Sequence, residues 1–323
     1  MRQDFYINKN VFVAGGAGLF GQSVTKQLLE HGARVVSTQY KKRKITIQHQ
    51  NLTLVDLDLR DLIKVSKIME DMDILFLCGA RVGGAKTILN DAVDLVSYNL
   101  ALHFDLMVLA HKLRLDRVGF VSSSYIYPDT GKPNIESEGF IGDPWKPVNY
   151  GLGWYKRYLE TVCKFLHTSG TTRYAIIRPC SIYGPYDNFD FDTCHAIPAL
   201  VRKTAERMDP FEVWGGGQDI RCHTYVDDVA NGFLEVVDKY AVAEPLNVCT
   251  TEETTIEDVV QVLHELENFH PPVIFNTNKP SVIPYKVSSP RLVKELIGWS
   301  AKVSLKDGLK KTLDWYKKNK EYE

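Results

Sequence analysis

The stretch Val11-Phe-Val-Ala-Gly-Gly-Ala-Gly-Leu-Phe-Gly21 decides the fold of this chain. An apolar run leads into glycines at 15, 18 and 21, and a pattern of Val24, Leu28 and Leu29 follows and stops at Gly32. Strand, turn and helix are the reading. Gly15 allows a tight turn, Gly18 lets backbone approach a pyrophosphate, and Gly21 lets helix and strand pack closely. The helix N-terminus, with Leu19 and Phe20 in its first turn, then faces the phosphates. This is the fingerprint of a dinucleotide site.

Further apolar strand candidates recur at Arg34–Thr38, Leu52–Leu57, Ile74–Cys78, Arg117–Ser122 and Tyr174–Arg178. Stretches near 22–31, 61–70, 92–113 and 153–168 carry apolar residues at three- and four-residue spacing. The alternation predicts an α/β, Rossmann-type doubly wound parallel sheet with helices on both faces. From about residue 185 the composition turns irregular and aromatic, with a Trp214-Gly-Gly-Gly217 turn and prolines 271, 272, 280 and 284. We expect a dinucleotide-binding domain over 1–184, to which segments near 222–250 return, and a smaller C-terminal substrate-binding lobe over 185–323.

Lys plus Arg number 39 and Asp plus Glu 40, a net charge of −1. Such a balance offers nucleic acid or an acidic membrane no general attraction, and any basic site must be local. The N-terminal residues lack the apolar core of a signal peptide, and no uninterrupted apolar run suits a bilayer crossing. A soluble, cytoplasmic protein is the expectation. The six cysteines lie far apart, without metal-ligand spacing, so reduced thiols and no metal are expected.

At the end of the second strand a carboxylate would bind ribose hydroxyls and a cation a 2′-phosphate. Here Ser37-Thr-Gln-Tyr-Lys-Lys-Arg-Lys44 has no acid and four cations, Arg43 among them. That favours NADP, with NAD still possible. Asp58 and Leu59, after the third strand, are placed to meet the adenine, and Ala80, after the fourth, to lie beside the dinucleotide.

The chain resembles the extended short-chain dehydrogenases/reductases of the NAD-dependent epimerase/dehydratase family, and within it the GDP-L-fucose synthase-like nucleotide-sugar enzymes. The resemblance rests on Ala80-Arg-Val-Gly-Gly84, Ser122-Ser-Ser-Tyr-Ile-Tyr-Pro128, Arg178-Pro-Cys-Ser-Ile-Tyr-Gly-Pro-Tyr-Asp-Asn-Phe189, His195-Ala-Ile-Pro-Ala-Leu200, Val213-Trp-Gly-Gly-Gly217 and Tyr225-Val-Asp-Asp228. It implies a tyrosine that moves a proton at a sugar carbonyl, a lysine four residues later that holds the nicotinamide ribose, and a serine that polarises the carbonyl oxygen. Ser123 takes the serine's place, and Pro179 and Ser181 stand near the nicotinamide, Ser181 where the family has asparagine.

The Tyr-x-x-x-Lys pair is irregular in Asn149-Tyr-Gly-Leu-Gly-Trp-Tyr-Lys-Arg-Tyr-Leu-Glu160. Placing Tyr150 at the tyrosine position puts Trp154 at the lysine; placing Lys156 at the lysine fits Glu160 but puts Leu152 at the tyrosine. The second alignment is preferred, and Tyr150 and Tyr125 then compete as proton donors. The resemblance also implies a cysteine and a histidine that epimerise beside the carbonyl. His195 matches the histidine, whereas Tyr125 stands at the cysteine's position and Cys194 does not match it. Arg221 matches a diphosphate-binding arginine, Lys203 and Lys286 two further basic positions, and Asn188 an orienting amide.

Three functions remain open from the sequence: an NADP-dependent epimerase or reductase of a GDP-linked 4-keto sugar, an epimerase or dehydratase that recycles a tightly held NAD, and a redox-silent nucleotide-binding scaffold subunit. A homodimer, through the helices near 92–113 and 153–168, is implied by the resemblance.

Overall fold

The computed structural model describes residues 5–40, 43–145, 150–279 and 283–320. Strands and helices alternate through β1 Asn10–Ala14, α1 Leu19–Glu30, β2 Arg34–Gln39, β3 Leu52–Asp56, α2 Leu62–Met69 and β4 Ile74–Leu77. The alternation continues with α3 Ala85–Asn90, α4 Ala92–Lys112, β5 Arg117–Val121, α5 Tyr150–Thr168 and β6 Arg173–Pro179. Shorter strands follow: β7 Ile182–Tyr183, then α6 Ala196–Ala205, β8 Phe211–Trp214, β9 Ile220–Arg221 and β10 Thr224–Tyr225. Next come α7 Val226–Lys239, β11 Pro245–Val248, β12 Thr254–Thr255 and α8 Ile256–Glu267. The chain closes with β13 Val273–Asn276, β14 Tyr285–Lys286, α9 Arg291–Ile297 and α10 Leu305–Lys318.

Among the described residues one sheet has the order β11-β6-β5-β4-β1-β2-β3, every pair parallel. All four residues of β4 are buried, as are the last four of β1. Unbroken apolar runs suit strands covered on both faces. Alternate side chains supply two cores. Val11, Val13, Ile74 and Phe76 meet Val24 and Leu28 of α1 and Phe233 of α7. Phe12, Leu75 and Leu77 meet Leu106 of α4 and Leu159 of α5 on the other face. The chain reverses its direction of travel across the sheet between β1 and β4, which opens a crevice at their carboxyl ends.

Helix α4 is the one long apolar helix among the described residues. By length and composition it is apolar enough to cross a membrane, with a hydropathy of 1.3 over its most apolar window. Its middle is polar on one side, however: Asn99 and His103 are buried and hydrogen-bonded to the loop after β4. Its buried apolar residues, Leu95, Leu102, Leu106 and Met107 among them, pack on the sheet and on α5, while Val93 and Phe104 face solvent.

After β6 the chain builds a lobe of small sheets. β9 pairs antiparallel with β12 and parallel with β14, β7 pairs with β10, and β8 with β13. Helices α6, α8 and α10 pack on one another beside them. α7 lies against α1, and β11 extends the large sheet beside β6.

Candidate functional site

The glycines of the first turn set its shape. Gly15 has φ +90°, and a Cβ there would lie 2.1 Å from the Cα of Gly79. A Cβ on Gly21 would lie 2.1 Å from the Gly15 carbonyl oxygen. Both positions require glycine for the protein's own packing. Gly18 differs: a Cβ there has its nearest neighbour at 4.0 Å, and no side-chain hydrogen bond caps α1 at this residue. The first amides of α1 thus have open space before them, which fits a pyrophosphate. Thr38 Oγ1 accepts the Gly15 amide at 2.8 Å and ties the turn to β2. Leu19 is partly buried, while the Phe20 ring stacks on Phe233 in the core at 5.7 Å, so Phe20 can offer a ligand only its backbone.

At the end of β2, Gln39 accepts the Ile45 amide and donates to Asp56, which also pairs with Lys44 at 2.6 Å. Lys41 and Lys42 lie outside the described residues. Arg43 is exposed, and its charge acts on Asp187, a buried carboxyl whose burial raises its pKa to about 7. Asp58 is held well below the usual carboxylate range by hydrogen bonds from Arg60, and Leu59 packs beside the core under α2. Ala80 is exposed. Its neighbours are fixed by α4: Asn99 exchanges two 2.8 Å hydrogen bonds with the backbone of Arg81, and His103 Nε2 donates to the Gly79 carbonyl at 2.8 Å. Sequence reasoning missed this pair. Two polar residues four apart in an apolar helix are the signal.

Helix α5 turns Lys156, not Trp154, toward the sheet. Lys156 is buried, lies over the Phe120 ring at 4.8 Å and donates to the Val121 carbonyl at 2.7 Å, at the end of β5. Trp154 is exposed and Leu152 is buried one turn before Lys156. Tyr150, two residues earlier and about 200° around the helix from Leu152, is exposed and meets Trp154 edge-on at 6.1 Å. The structure does not bring Tyr150 to Lys156. Glu160 turns away from Lys156 to hold Arg178 through bonds of 2.9 and 2.7 Å and accepts from Ser122. Burial pushes the Lys156 ammonium down to about 7, against the opposing pull of Glu160 and Cys163.

Ser123 accepts the Tyr125 amide at 3.1 Å where the chain leaves β5 in a single 3-10 turn. Arg157, which is buried, donates twice to the Ile126 carbonyl and once to Gly142, fixing the loop that carries Tyr125. Lys286 Nζ lies 4.3 Å from the centre of the Tyr125 ring. In β14, Lys286 stands opposite Arg221 of β9, whose guanidinium donates to Ile220 and approaches Asp219 at 3.7 Å. His195, at the N-cap of α6, is exposed. Desolvation by the surrounding protein and the charge of Lys286 lower its pKa to about 4. The Gly84 amide donates to Thr193 at 2.9 Å, and a Cβ on Gly84 would lie 2.1 Å from the Cys194 carbonyl. The loop after β4 is thereby packed against the segment that carries His195. Burial raises the neighbouring Cys194 thiol to about 12.

Two expected ligand residues are engaged elsewhere. Lys203 donates to the Glu212 carbonyl at 2.6 Å and lines a separate cavity of about 310 Å³ with Met208, Pro210, Glu212 and Ile274. Asn188 donates to Thr193 Oγ1 at 2.7 Å and accepts the Asp190 amide, so its amide shapes its own loop. Pro179 ends β6 beside Val248, and Ser181 has φ +43°, a left-handed conformation that asparagine adopts more readily than serine. Among the described residues there is no cluster of His, Cys, Asp and Glu able to hold a metal ion.

A glycine cradle at the sheet's switch point, a buried lysine reaching the end of the fifth strand and the adjacent cations Arg221 and Lys286 of the lobe suit a dinucleotide-dependent enzyme. The chain belongs to the NAD dependent epimerase/dehydratase family, whose model matches residues 11–249. It is 27% identical to the putative GDP-L-fucose synthase 2 of Arabidopsis thaliana, over 96% of this chain and 92% of that protein. It is 26% identical to the GDP-L-fucose synthase of Escherichia coli (97% and 98%) and to the GDP-mannose 3,5-epimerase of Arabidopsis thaliana (100% and 86%). These relatives support an NAD(P)-dependent sugar-nucleotide epimerase or reductase. The fold matches UDP-glucose 4-epimerase of Thermotoga maritima with TM-score 0.84 at 23% identity, covering 96% and 99% of the two chains. It matches an NADP-bound GDP-L-fucose synthetase of Naegleria fowleri with TM-score 0.81 at 23% identity, covering 99% and 95%.

Proposed function

We propose that this protein is an NADP-dependent, cytoplasmic enzyme acting on a GDP-linked 4-keto sugar by reduction, epimerisation or both. The observation that carries the reading is the shared crevice: the Gly15–Gly21 turn lies at the carboxyl end of β1, Lys156 reaches the end of β5, and on the lobe side Lys286 lies over Tyr125, pairs in register with Arg221 and acts on His195. When bound, the dinucleotide supplies or accepts a hydride.

In this reading Gly15, Gly18, Gly21, Leu19 and the backbone of Phe20 hold the pyrophosphate. Arg43, Asp58 and Leu59 meet the adenosine, and Ala80, Lys156, Pro179 and Ser181 meet the nicotinamide half. Arg221 and Lys286 neutralise the sugar's diphosphate, since charge-assisted bonds to phosphate are roughly twice as strong as neutral ones. Asn188 orients the sugar through its loop, and Lys203 acts from the neighbouring cavity. Ser123 polarises the carbonyl oxygen. His195, being neutral, takes a proton from the carbon beside the carbonyl in this reading, and Tyr125, held beside Lys286, returns one.

The buried Leu152 favours a second reading, a redox-silent nucleotide-binding subunit, because no phenol precedes Lys156 by a turn. Mixing the protein with NADPH and GDP-4-keto-6-deoxymannose decides between them. Loss of NADPH absorbance that disappears in Lys156→Met supports the enzyme; tight NADPH binding without turnover supports the subunit.

A further inference from the structure

We propose that Lys156 itself gives and takes the proton at the sugar carbonyl oxygen. The proposal rests on the enzymatic reading above and concerns only which group carries the proton.

The phenols of α5 are turned elsewhere, and Tyr125 serves the carbon beside the carbonyl. Leu152 fills the position one turn before Lys156. Tyr150 meets Trp154 edge-on at the exposed start of α5. Tyr155 is buried and hydrogen-bonded to Asn99 on the α4 side, and Tyr125 lies beneath Lys286. Lys156 extends from this helix to the Val121 carbonyl at the end of β5, two residues before Ser123.

The surroundings let the amine exchange protons. The charged and titratable groups around it are Glu160 and Cys163 on α5 and His103 on α4, with the Phe120 ring beneath it from β5. Glu160 is committed to Arg178 and Ser122, burial holds the Cys163 thiol protonated, and His103 is neutral with a pKa of about 3. An ammonium without a dedicated counter-ion in an apolar setting is destabilised, which brings Lys156 to about 7. In reduction the carbonyl carbon receives the hydride from NADPH, the carbonyl π bond breaks, and the oxygen takes a proton as one N–H bond of the Lys156 ammonium breaks. The product is the alcohol, and the neutral amine is re-protonated from water. Oxidation reverses each transfer.

Two measurements test this. NMR titration of isotope-labelled lysine in the NADP-bound protein, with the Lys156 signal assigned by its loss in Lys156→Arg, should give a midpoint near 7; a midpoint above that of ordinary exposed lysines, about 10, overturns the proposal. This result stands whether or not any given sugar is turned over. On GDP-4-keto-6-deoxymannose, Lys156→Arg keeps a cation but should lose at least about a hundredfold in kcat. Lys156→Ala should recover rate on addition of small primary amines, with a dependence on amine pKa. Wild-type rates in Lys156→Arg, or no amine rescue of a folded, NADPH-binding Lys156→Ala, contradict it.

Discussion

Glu160 grips Arg178 from one turn beyond Lys156, with both side chains out of contact with solvent. The pair does more than join α5 to β6. Arg178 also donates to Tyr127 at 3.0 Å, and Tyr127 donates to Asn247 of β11 at 2.6 Å, so one buried network spans three elements beside the crevice. It also removes from Lys156 the nearest carboxylate.

Glu160→Gln should therefore be costly. A half-paired guanidinium left in the interior is worth about 3–5 kcal/mol of lost stability, read as a shift of the urea midpoint. Isosteric Glu160→Gln retains the shape, so the loss reports charge.

Gly18 and Gly21 should separate binding from folding. Gly21→Ala meets the Gly15 carbonyl and should lower the melting temperature as well as cofactor affinity. Gly18→Ala has room in the protein. It should cost less than about 1 kcal/mol of stability while weakening NADPH binding at least about tenfold, measured by the fluorescence of bound NADPH.

Acid should unfold the protein through its buried histidines. His103 has a folded pKa of about 3 against 6.5 for the free side chain, and His223 likewise about 3. As pH falls below 6.5 the unfolded chain takes up these protons first, so the stability these two histidines contribute is lost from there toward about 3 and is constant above. His103→Gln keeps a donor for Gly79 and should flatten this slope in urea titrations at a series of pH values.

Ser181→Asn should stabilise the protein by several tenths of a kcal/mol, roughly the relief of placing a residue tolerant of positive φ at +43°. Thermal melts of the two proteins measure it.

The outer faces of α4 and α5 present Phe104, Tyr158 and Phe165 to solvent, with Phe104 and Tyr158 stacked at 6.5 Å. This stripe suits the proposed homodimer. Sedimentation should find a dimer in the wild type and a monomer in Tyr158→Glu/Phe165→Glu; a monomeric wild type contradicts it.

Physical contrast explains which parts were legible. β1 and β4 announce themselves because strands covered on both faces are apolar throughout, and Gly15 and Gly21 of the first turn are demanded by sub-van der Waals geometry. β11 escaped the strand reading, since Pro-Leu-Asn-Val shows no alternation, and its Asn247 is buried only because Tyr127, Asn134 and Ser289 supply partners. Lys156 was legible through its helical spacing to Glu160, though not the diversion of that glutamate to Arg178. The approach of Lys286 to Tyr125 depends on strands two residues long and far apart in sequence, which leave no periodic trace. Lys203 shows the opposite limit. It follows His195 by eight residues, about 12 Å along α6, so the helix carries it past the cleft that its charge suggested it would serve.

The most direct test is to incubate the protein with GDP-4-keto-6-deoxymannose and NADPH in deuterated water and examine the product by NMR. The account predicts consumption of NADPH, with deuterium beside the former carbonyl if His195 and Tyr125 epimerise and none there if the enzyme only reduces. Unchanged NADPH together with an unlabelled sugar would contradict it.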